Sequence, residues 1–322
     1  MSQLTVRQVV HDKGETLKLD LMTGDLGLDR VIPCPEASSP GLVLAGFTER
    51  FFERRIHVLG ETEVRYLDSL SEDTRLESWK AFMAFDLPCV FITKGQELPN
   101  ELVSIAKDKE IPLVRTQLKT AEFYQRFTPY ISELFAPSTT LHGSLADVYG
   151  VGLLFVGRSG IGKSECVLDL VERGHRLVAD DSVLVARRGD DVLIGRSDEL
   201  THRHMEIRGV GIVDVSALFG VRAVRQQKRI EVVVQLVDWD KAGDVDRTGL
   251  EVQTTNVLDV KLPKVSIPLN PGKNITVVSE VVAMNHLLRY SGIDSAKALN
   301  DRLMRRMAET RELREYLSQD YE

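Results

Sequence analysis

The sequence predicts an α/β protein of two domains. Its length, its alternation of short apolar runs with helical periodicity, and a glycine loop set between a strand and a helix carry that prediction. The 322 residues suffice for two cores of ordinary size. A content of 43% hydrophobic and 28% charged residues is that of a globular chain. No window approaches 18 uninterrupted apolar residues, so no transmembrane helix is expected.

The N-terminus, MSQLTVRQVVHDKGE, alternates polar and apolar residues and lacks the basic start and apolar run of a secretory leader. PCVFIT at 88–93 reads as a strand and ELPNELVSIAKDKE at 97–110 as a helix. IPLVRT reads as a second strand and AEFYQRFTPYISELF at 121–135 as a second helix. Strands alternating with helices predict crossover units with some parallel pairing. This first domain, residues 1–135, shows no phosphate loop and no acid–base cluster, and its role stays unassigned. APSTT at 136–140, a proline followed by small hydroxylated residues, reads as a linker. The second domain then spans 136–322. GLLFV at 152–156 is a buried-type strand, and SECVLDLVERG a helix with Val167, Leu170 and Val171 on one face and Gly174 as its stop. RLVADDSVLVAR, DDVLIGR and RIEVVVQLVDW supply further strands. The tail from Ser295 to about Ser318 reads as a helix with Leu299, Leu303, Met304 and Met307 along one side.

The formal net charge of −7 argues against nucleic acid, whose backbone demands clustered cations. The basic runs RRGDD at 187, VRAVRQQKR at 221 and RLMRRM at 302 read first as solvated surface. A docking surface for an acidic or phosphorylated protein is the alternative. Cys34, Cys89 and Cys166 show neither metal-ligand spacing nor an even disulfide count. A reducing cytoplasm with no membrane attachment is expected.

The chemistry centres on GRSGIGKSE at 157–165. Gly157, Gly162, Lys163 and Ser164 fit G-x-x-x-x-G-K-[ST], and the strand before and helix after are the context the motif requires. Glycines let the backbone bend so that successive N–H groups meet one anion, and the helix adds its positive N-terminal end. Residues Gly157, Arg158, Ser159, Gly160, Ile161, Gly162, Lys163 and Ser164 are therefore the expected nucleotide cradle. Lys163 is the cation for the β- and γ-phosphates, and the Ser164 hydroxyl is a candidate Mg²⁺ ligand. Asp180 and Asp181, at the end of the LVADD strand, can divide two tasks, one holding the cation and one accepting a proton. On residue chemistry alone, a metal-binding aspartate with an idle neighbour is an equal reading. His142 in LHGSLAD, Glu206 and Arg208 in MEIRGVGIVDV, Arg247 in DVDRTGL and Lys273 in PLNPGKN are individually weak signals. A lone histidine is more often structural, and a lone arginine a surface charge.

In combination these segments resemble the bacterial HPr kinase/phosphorylase family. The likeness runs through LDRVIPCPEASSPGLVLAGF at 28–47, ERRIHVLGETEVRYLDSL at 53–70, DVYGVGLLFVGRSGIGKSE, RGHRLVADDSV, LIGRSDEL, MEIRGVGIVDV, DRTGL and PLNPGKN. The resemblance implies a protein-serine kinase using ATP, and in some members pyrophosphate. Its substrate is HPr, the phosphocarrier protein of the sugar phosphotransferase system, and its output the regulation of carbon metabolism. It also implies the reverse activity, in which inorganic phosphate attacks phosphoserine and releases pyrophosphate. By position, Asp181 is the proton acceptor forward and the donor in reverse, with His142 as its partner. The resemblance likewise implies that Lys163 binds phosphates, that Ser164 and Glu206 hold Mg²⁺ (Mn²⁺ is the alternative), and that Arg247 stabilises the phosphoryl group in flight. Segment 205–214 serves both reactions, and 268–273 chiefly phosphorolysis. The resemblance further implies a catalytic P-loop kinase domain with phosphoenolpyruvate-carboxykinase-like topology, a homohexamer, and a C-terminal helix that helps dock the substrate protein.

Two positions depart from the family pattern. Arg158 stands where an acidic residue is usual, and Asn270 and Lys273 stand where two arginines are usual. Lysine offers phosphate only a point charge and asparagine none, so weakened phosphorolysis is expected. The competing readings are a kinase of the same fold acting on another protein or a small molecule, and a nucleotide-sensing regulator without phosphoryl transfer. The acid pair and the Arg247 loop favour chemistry over sensing.

Overall fold

The computed structural model describes residues 3–241, 253–270, 272 and 274–319. The chain divides into two compact units, Met1–Ala136 and Pro137–Glu322.

Helix α1 (Val6–Lys13) opens the first unit. The alternating N-terminal text thus yields a helix, because Thr5 caps it by accepting from the Gln8 N–H and Val6 and Val9 lie one helical turn apart in the core. Strands β1 (Leu19–Leu21), β2 (Ala37–Ser38), β3 (Ile56–Leu59), β4 (Val90–Ile92) and β5 (Leu113–Thr116) form one sheet in the order β1-β5-β4-β3-β2. The β2–β3–β4–β5 pairs are parallel, and β1 joins antiparallel. Parallel strands need both faces covered, and β3 and β4 are buried at every residue. Helices α2 (Gly41–Leu44), α3 (Glu61–Ser69), α4 (Glu72–Phe82) and α5 (Asn100–Asp108) share one core cluster, around Trp79 and Phe82. Helices α1 and α6 (Thr120–Leu134) share the other, around Phe91, Phe123 and Phe127.

In the second unit, β6 (Ser138–His142) corrects the linker expected at 136–140. Its threonines are ladder residues, pairing antiparallel with β10 (Ser182–Arg188) from Ser138↔Ala186 to His142↔Ser182. β-Branched hydroxyl residues suit a half-exposed strand, which is why a linker-like composition conceals one here. β11 (Val192–Arg196) and β14 (Gln227–Arg229) complete that sheet in the order β14-β11-β10-β6.

The sheet that carries the glycine loop runs β16-β17-β15-β8-β7-β9. Its strands are β7 (Ser144–Val148), β8 (Val151–Val156), β9 (Arg176–Ala179), β15 (Val232–Asp238), β16 (Thr254–Val257) and β17 (Val260–Leu269). β7 and β8 join through Tyr149–Gly150, both at positive φ (51° and 84°), the two-residue turn whose twist matches a hairpin. β8 pairs parallel with β15, and β15 parallel with β17. Helix α7 (Lys163–Glu172) packs Val167, Leu170 and Val171 onto the sheet with Phe155 and Leu153, and Gly174 at φ 94° follows its end. Against α7 lies the hairpin of β12 (His204–Ile207) and β13 (Gly211–Asp214), through Met205 in the same core. Helix α8 (Val215–Phe219) follows the hairpin, and α9 (Ile275–Tyr290) and α10 (Ser295–Gln319) close the chain. Leu299, Leu303, Met304 and Met307 on α10 are exposed.

Candidate active site

Strand β8 runs at full burial to Phe155 and then releases the chain into Gly157–Gly162. Gly157, Gly160 and Gly162 adopt φ of 152°, 71° and 104°, so each relies on the absence of a side chain. A Cβ at Gly160 would also stand 2.9 Å from Nη2 of Arg208, which places that guanidinium against the loop. Ile161 turns inward and anchors the loop in the core of the unit. Gly162 precedes the first turn of α7, so Lys163 and Ser164 sit at the positive end of the helix.

Lys163 is only 5% exposed. Its Nζ donates to the carbonyls of Gly157 and Arg158 and to Nε2 of His142, each at 3.1 Å. His142 closes β6. Its Nδ1 lies 3.0 Å from the carbonyl oxygen of Asp181 and 3.2 Å from Oδ1 of the same residue. An ammonium has only protons to give, so Nε2 accepts from Lys163. The ring proton therefore stands on Nδ1, directed at Asp181.

The two adjacent aspartates have opposite environments. Asp180 is buried, and its Oδ1 accepts from Ser164 Oγ at 2.9 Å and from Ser144 Oγ at 2.5 Å. Burial pushes its carboxyl above the usual range, and the two serine hydrogen bonds work against that shift. Its Oδ2 has no hydrogen-bond partner. A buried carboxylate oxygen left open beside a loop serine suits a divalent cation. Mg²⁺ commonly takes one or two carboxylates and fills its other positions with water and substrate phosphate. Of the two aspartates between which the sequence reading divided the cation and the proton, Asp180 is the one whose open buried oxygen suits a cation. The ADD text shows a pair but not which member turns inward. Asp181 adopts φ 61°, and its side chain is 74% exposed. The left-handed turn lifts its carboxylate to the rim of the site, while Gly143 N–H holds its carbonyl at 3.1 Å.

The remaining expected residues fall as follows. Glu206 is exposed on β12, two residues before Arg208. Among the described residues no three His, Cys, Asp or Glu side chains converge as a metal cluster. Arg158 makes a two-pronged pair with Asp238 at the end of β15, at 2.8 and 2.9 Å. The extra cation of the loop is thereby matched by a carboxylate 80 positions away, a pairing with no local signal in the sequence. Ser159 is exposed at the loop tip, and Asn270 is exposed just after β17. Arg247 and Lys273 lie outside the described residues.

A glycine loop whose lysine reaches through a histidine to an exposed carboxylate, with a second carboxylate buried beside the loop serine, is an arrangement suited to a phosphotransferase. Comparison with known proteins narrows the class. The family profile HPr Serine kinase N terminus matches residues 4–131, and HPr Serine kinase C-terminal domain matches residues 133–303. The chain is 45% identical to the HPr kinase/phosphorylase of Prosthecochloris aestuarii over 289 residues, 88% of this chain and 85% of that one. It is 41% identical to that of Bacillus cytotoxicus over 290 residues, 90% of this chain and 94% of that one. The solved Hpr(Ser) kinase/phosphatase from Coxiella burnetii aligns at 33% identity over 50% of this chain and 98% of that one, with a TM-score of 0.46. The chain belongs to the HPr kinase/phosphorylase family, as its motifs led us to expect.

Proposed function

We propose that this chain phosphorylates a serine of HPr with ATP and reverses the modification with inorganic phosphate. The observation that carries the reading is the rim position of Asp181: an exposed carboxylate tied through His142 to the buried phosphate-loop lysine. In the forward direction the Asp181 carboxylate takes the proton of the serine hydroxyl. The serine oxygen attacks the terminal phosphorus, and the bond to the ADP oxygen breaks. In reverse, a phosphate oxygen attacks the phosphorus of phosphoserine. The serine oxygen leaves with the proton from Asp181, and pyrophosphate forms. The loop N–H groups of Gly157–Ser164 and the Lys163 ammonium hold the phosphates. Arg208 stands over the loop as a further cation.

Ser164, Asp180 and Glu206 are proposed to hold Mg²⁺, or Mn²⁺ in its place. When bound, that cation neutralises charge on the phosphate oxygens. Arg247 keeps the transferring-group role that the family resemblance gives it. Phosphoenolpyruvate-carboxykinase-like topology for the second unit, a homohexamer and a cytoplasmic setting belong to the same proposal. The strand–loop–helix of β8 and α7 supports the first. The exposed apolar side chains of α9 and α10 support an assembly, and three free cysteines suit a reducing compartment. No described helix is long and apolar enough to cross a membrane. Asn270, exposed after β17 in place of an arginine, is expected to slow phosphorolysis relative to the kinase reaction. Rapid, complete dephosphorylation of phosphoserine-HPr at millimolar phosphate would refute that.

The test of the catalytic assignment is Asp181→Asn. Loss of a general base lowers turnover on the order of 10²–10⁴-fold, while ATP affinity stays close to that of the unmodified chain because Asp181 lies outside the loop. Near-normal turnover removes Asp181 from the role.

A further inference from the structure

An ammonium group has three protons to donate. Lys163 spends them on three acceptors at 3.1 Å: the Gly157 carbonyl, the Arg158 carbonyl and His142 Nε2. At 5% exposure it has little water to draw on. A phosphate that takes a hydrogen bond from Lys163 must therefore displace one of these partners. The two carbonyls belong to the loop itself. His142 stands on β6, a different element, and its half-exposed side chain can replace the lysine proton with one from solvent.

We propose that phosphate binding moves Lys163 off His142, and that His142 takes up a proton at Nε2 in exchange. With Lys163 on Nε2 the ring is neutral, and its single proton, on Nδ1, faces the carbonyl and Oδ1 of Asp181. With Lys163 on a phosphate, the Nε2 lone pair is bare beside newly arrived negative charge, which favours the charged ring. The balance is one N–H···N bond lost, one N–H···O–P bond gained and one solvent proton bound. The charged groups in contact with the ring are Lys163 from α7 and Asp181 from the turn between β9 and β10, and both act in this account. An imidazolium donates a stronger hydrogen bond than the neutral ring. Asp181 is then held in a fixed orientation when phosphate occupies the loop, and held less firmly when it does not. His142 is thus a positioning residue whose charge reports occupancy. The idea rests on the reading of Lys163 as a phosphate ligand.

The experiment is calorimetric titration of the full chain with a non-hydrolysable ATP analogue, magnesium present throughout, near pH 7 in buffers of different ionisation enthalpy. The same titration on His142→Gln subtracts protons that belong to the nucleotide, because glutamine can still donate to Asp181 but takes up no proton. The expected result is net uptake approaching one proton per chain in the wild type, absent in H142Q. A matching affinity gain is expected as pH falls, bounded at about tenfold per pH unit for one proton. The ¹⁵N signal of His142 Nε2 should move from the acceptor to the protonated position on binding. Binding heat with equal proton counts in the two proteins and an unmoved Nε2 signal overturns the exchange and leaves the kinase reading intact. Absence of any binding heat overturns both.

Discussion

Each unit of this chain places a histidine at a sheet strand, and the two are used in opposite ways. In the first unit His57 on β3 is fully buried among Phe51 and Phe82. Nε2 donates to the Glu53 carbonyl at 3.2 Å, Nδ1 has no partner, and desolvation drives the pKa down to about 4. In the second unit His142 is half exposed, and both its nitrogens are engaged, one by a buried lysine and one by the rim aspartate. His57 shows that burial alone perturbs a group without making a site. His142 shows what a site adds: convergent partners and access for a reactant. The same contrast separates the sheets. The parallel strands of the first unit feed turns and helices, whereas β8 feeds a loop with three glycines at positive φ that leads into the N-terminal end of α7.

The comparison is sharpened most by removing the group that His142 answers to. Lys163→Met should lower turnover by about 10²–10³-fold, the usual cost of one lost charge-stabilising donor, and should weaken nucleotide binding as well. Asp181→Asn, by contrast, spares binding. Steady-state kinetics beside direct binding measurements separate the two, and an unchanged ATP affinity in K163M would contradict the cradle.

The next effect tests the silent histidine. His57 is neutral in the folded chain and takes a proton in the unfolded chain at its ordinary pKa of 6.5. Stability is therefore fully present above pH 6.5 and falls as pH drops toward about 4. The loss at the acid end is about 3 kcal/mol. Fluorescence of Trp79, buried in the same core, should follow it under acid titration. His57→Phe should remove this window, and an unaltered acid profile would show that His57 is not its source.

Asp180→Asn tests the buried half of the acid pair. The raised carboxyl of Asp180 means that, without a cation, the wild type loses stability as pH climbs from the ordinary carboxylate range through the raised value, a loss the asparagine lacks. Magnesium at a hundredfold excess over its Kd should stabilise the wild type by about 2.7 kcal/mol and D180N by far less, read as the shift in Tm. Equal shifts would move the cation elsewhere. The smallest effect is expected at Arg158→Ala. An exposed pair contributes little, so a rise in KM for ATP of less than about fivefold should follow, partly reversed by Asp238→Asn. A larger loss would make Arg158 a phosphate ligand in its own right.

Much of the loop unit was legible because its signals are local. Gly157, Gly162, Lys163 and Ser164 declare themselves by spacing, β8 and β15 by short apolar runs, and α7 by its one apolar face. What was hidden depends on tertiary placement. Ser138–His142 reads as a linker until β10 supplies a partner. LVADD does not reveal that Asp180 turns in toward Ser144 and Ser164 while a positive φ turns Asp181 out. Arg158 reads as an uncompensated cation until the end of β15 brings Asp238 to it. In the first unit, α1 was masked by an alternating text whose core residues nevertheless lie three apart.

The central claim is that a serine hydroxyl loses its proton to a carboxylate at the rim of a phosphate loop. It is tested most directly by incubating the chain with ATP, Mg²⁺ and HPr and locating the product phosphate by mass spectrometry, then adding inorganic phosphate. The account predicts one phosphate on a serine of HPr, removed again with release of pyrophosphate. An HPr left unmodified, or modified on a residue other than serine, would contradict it.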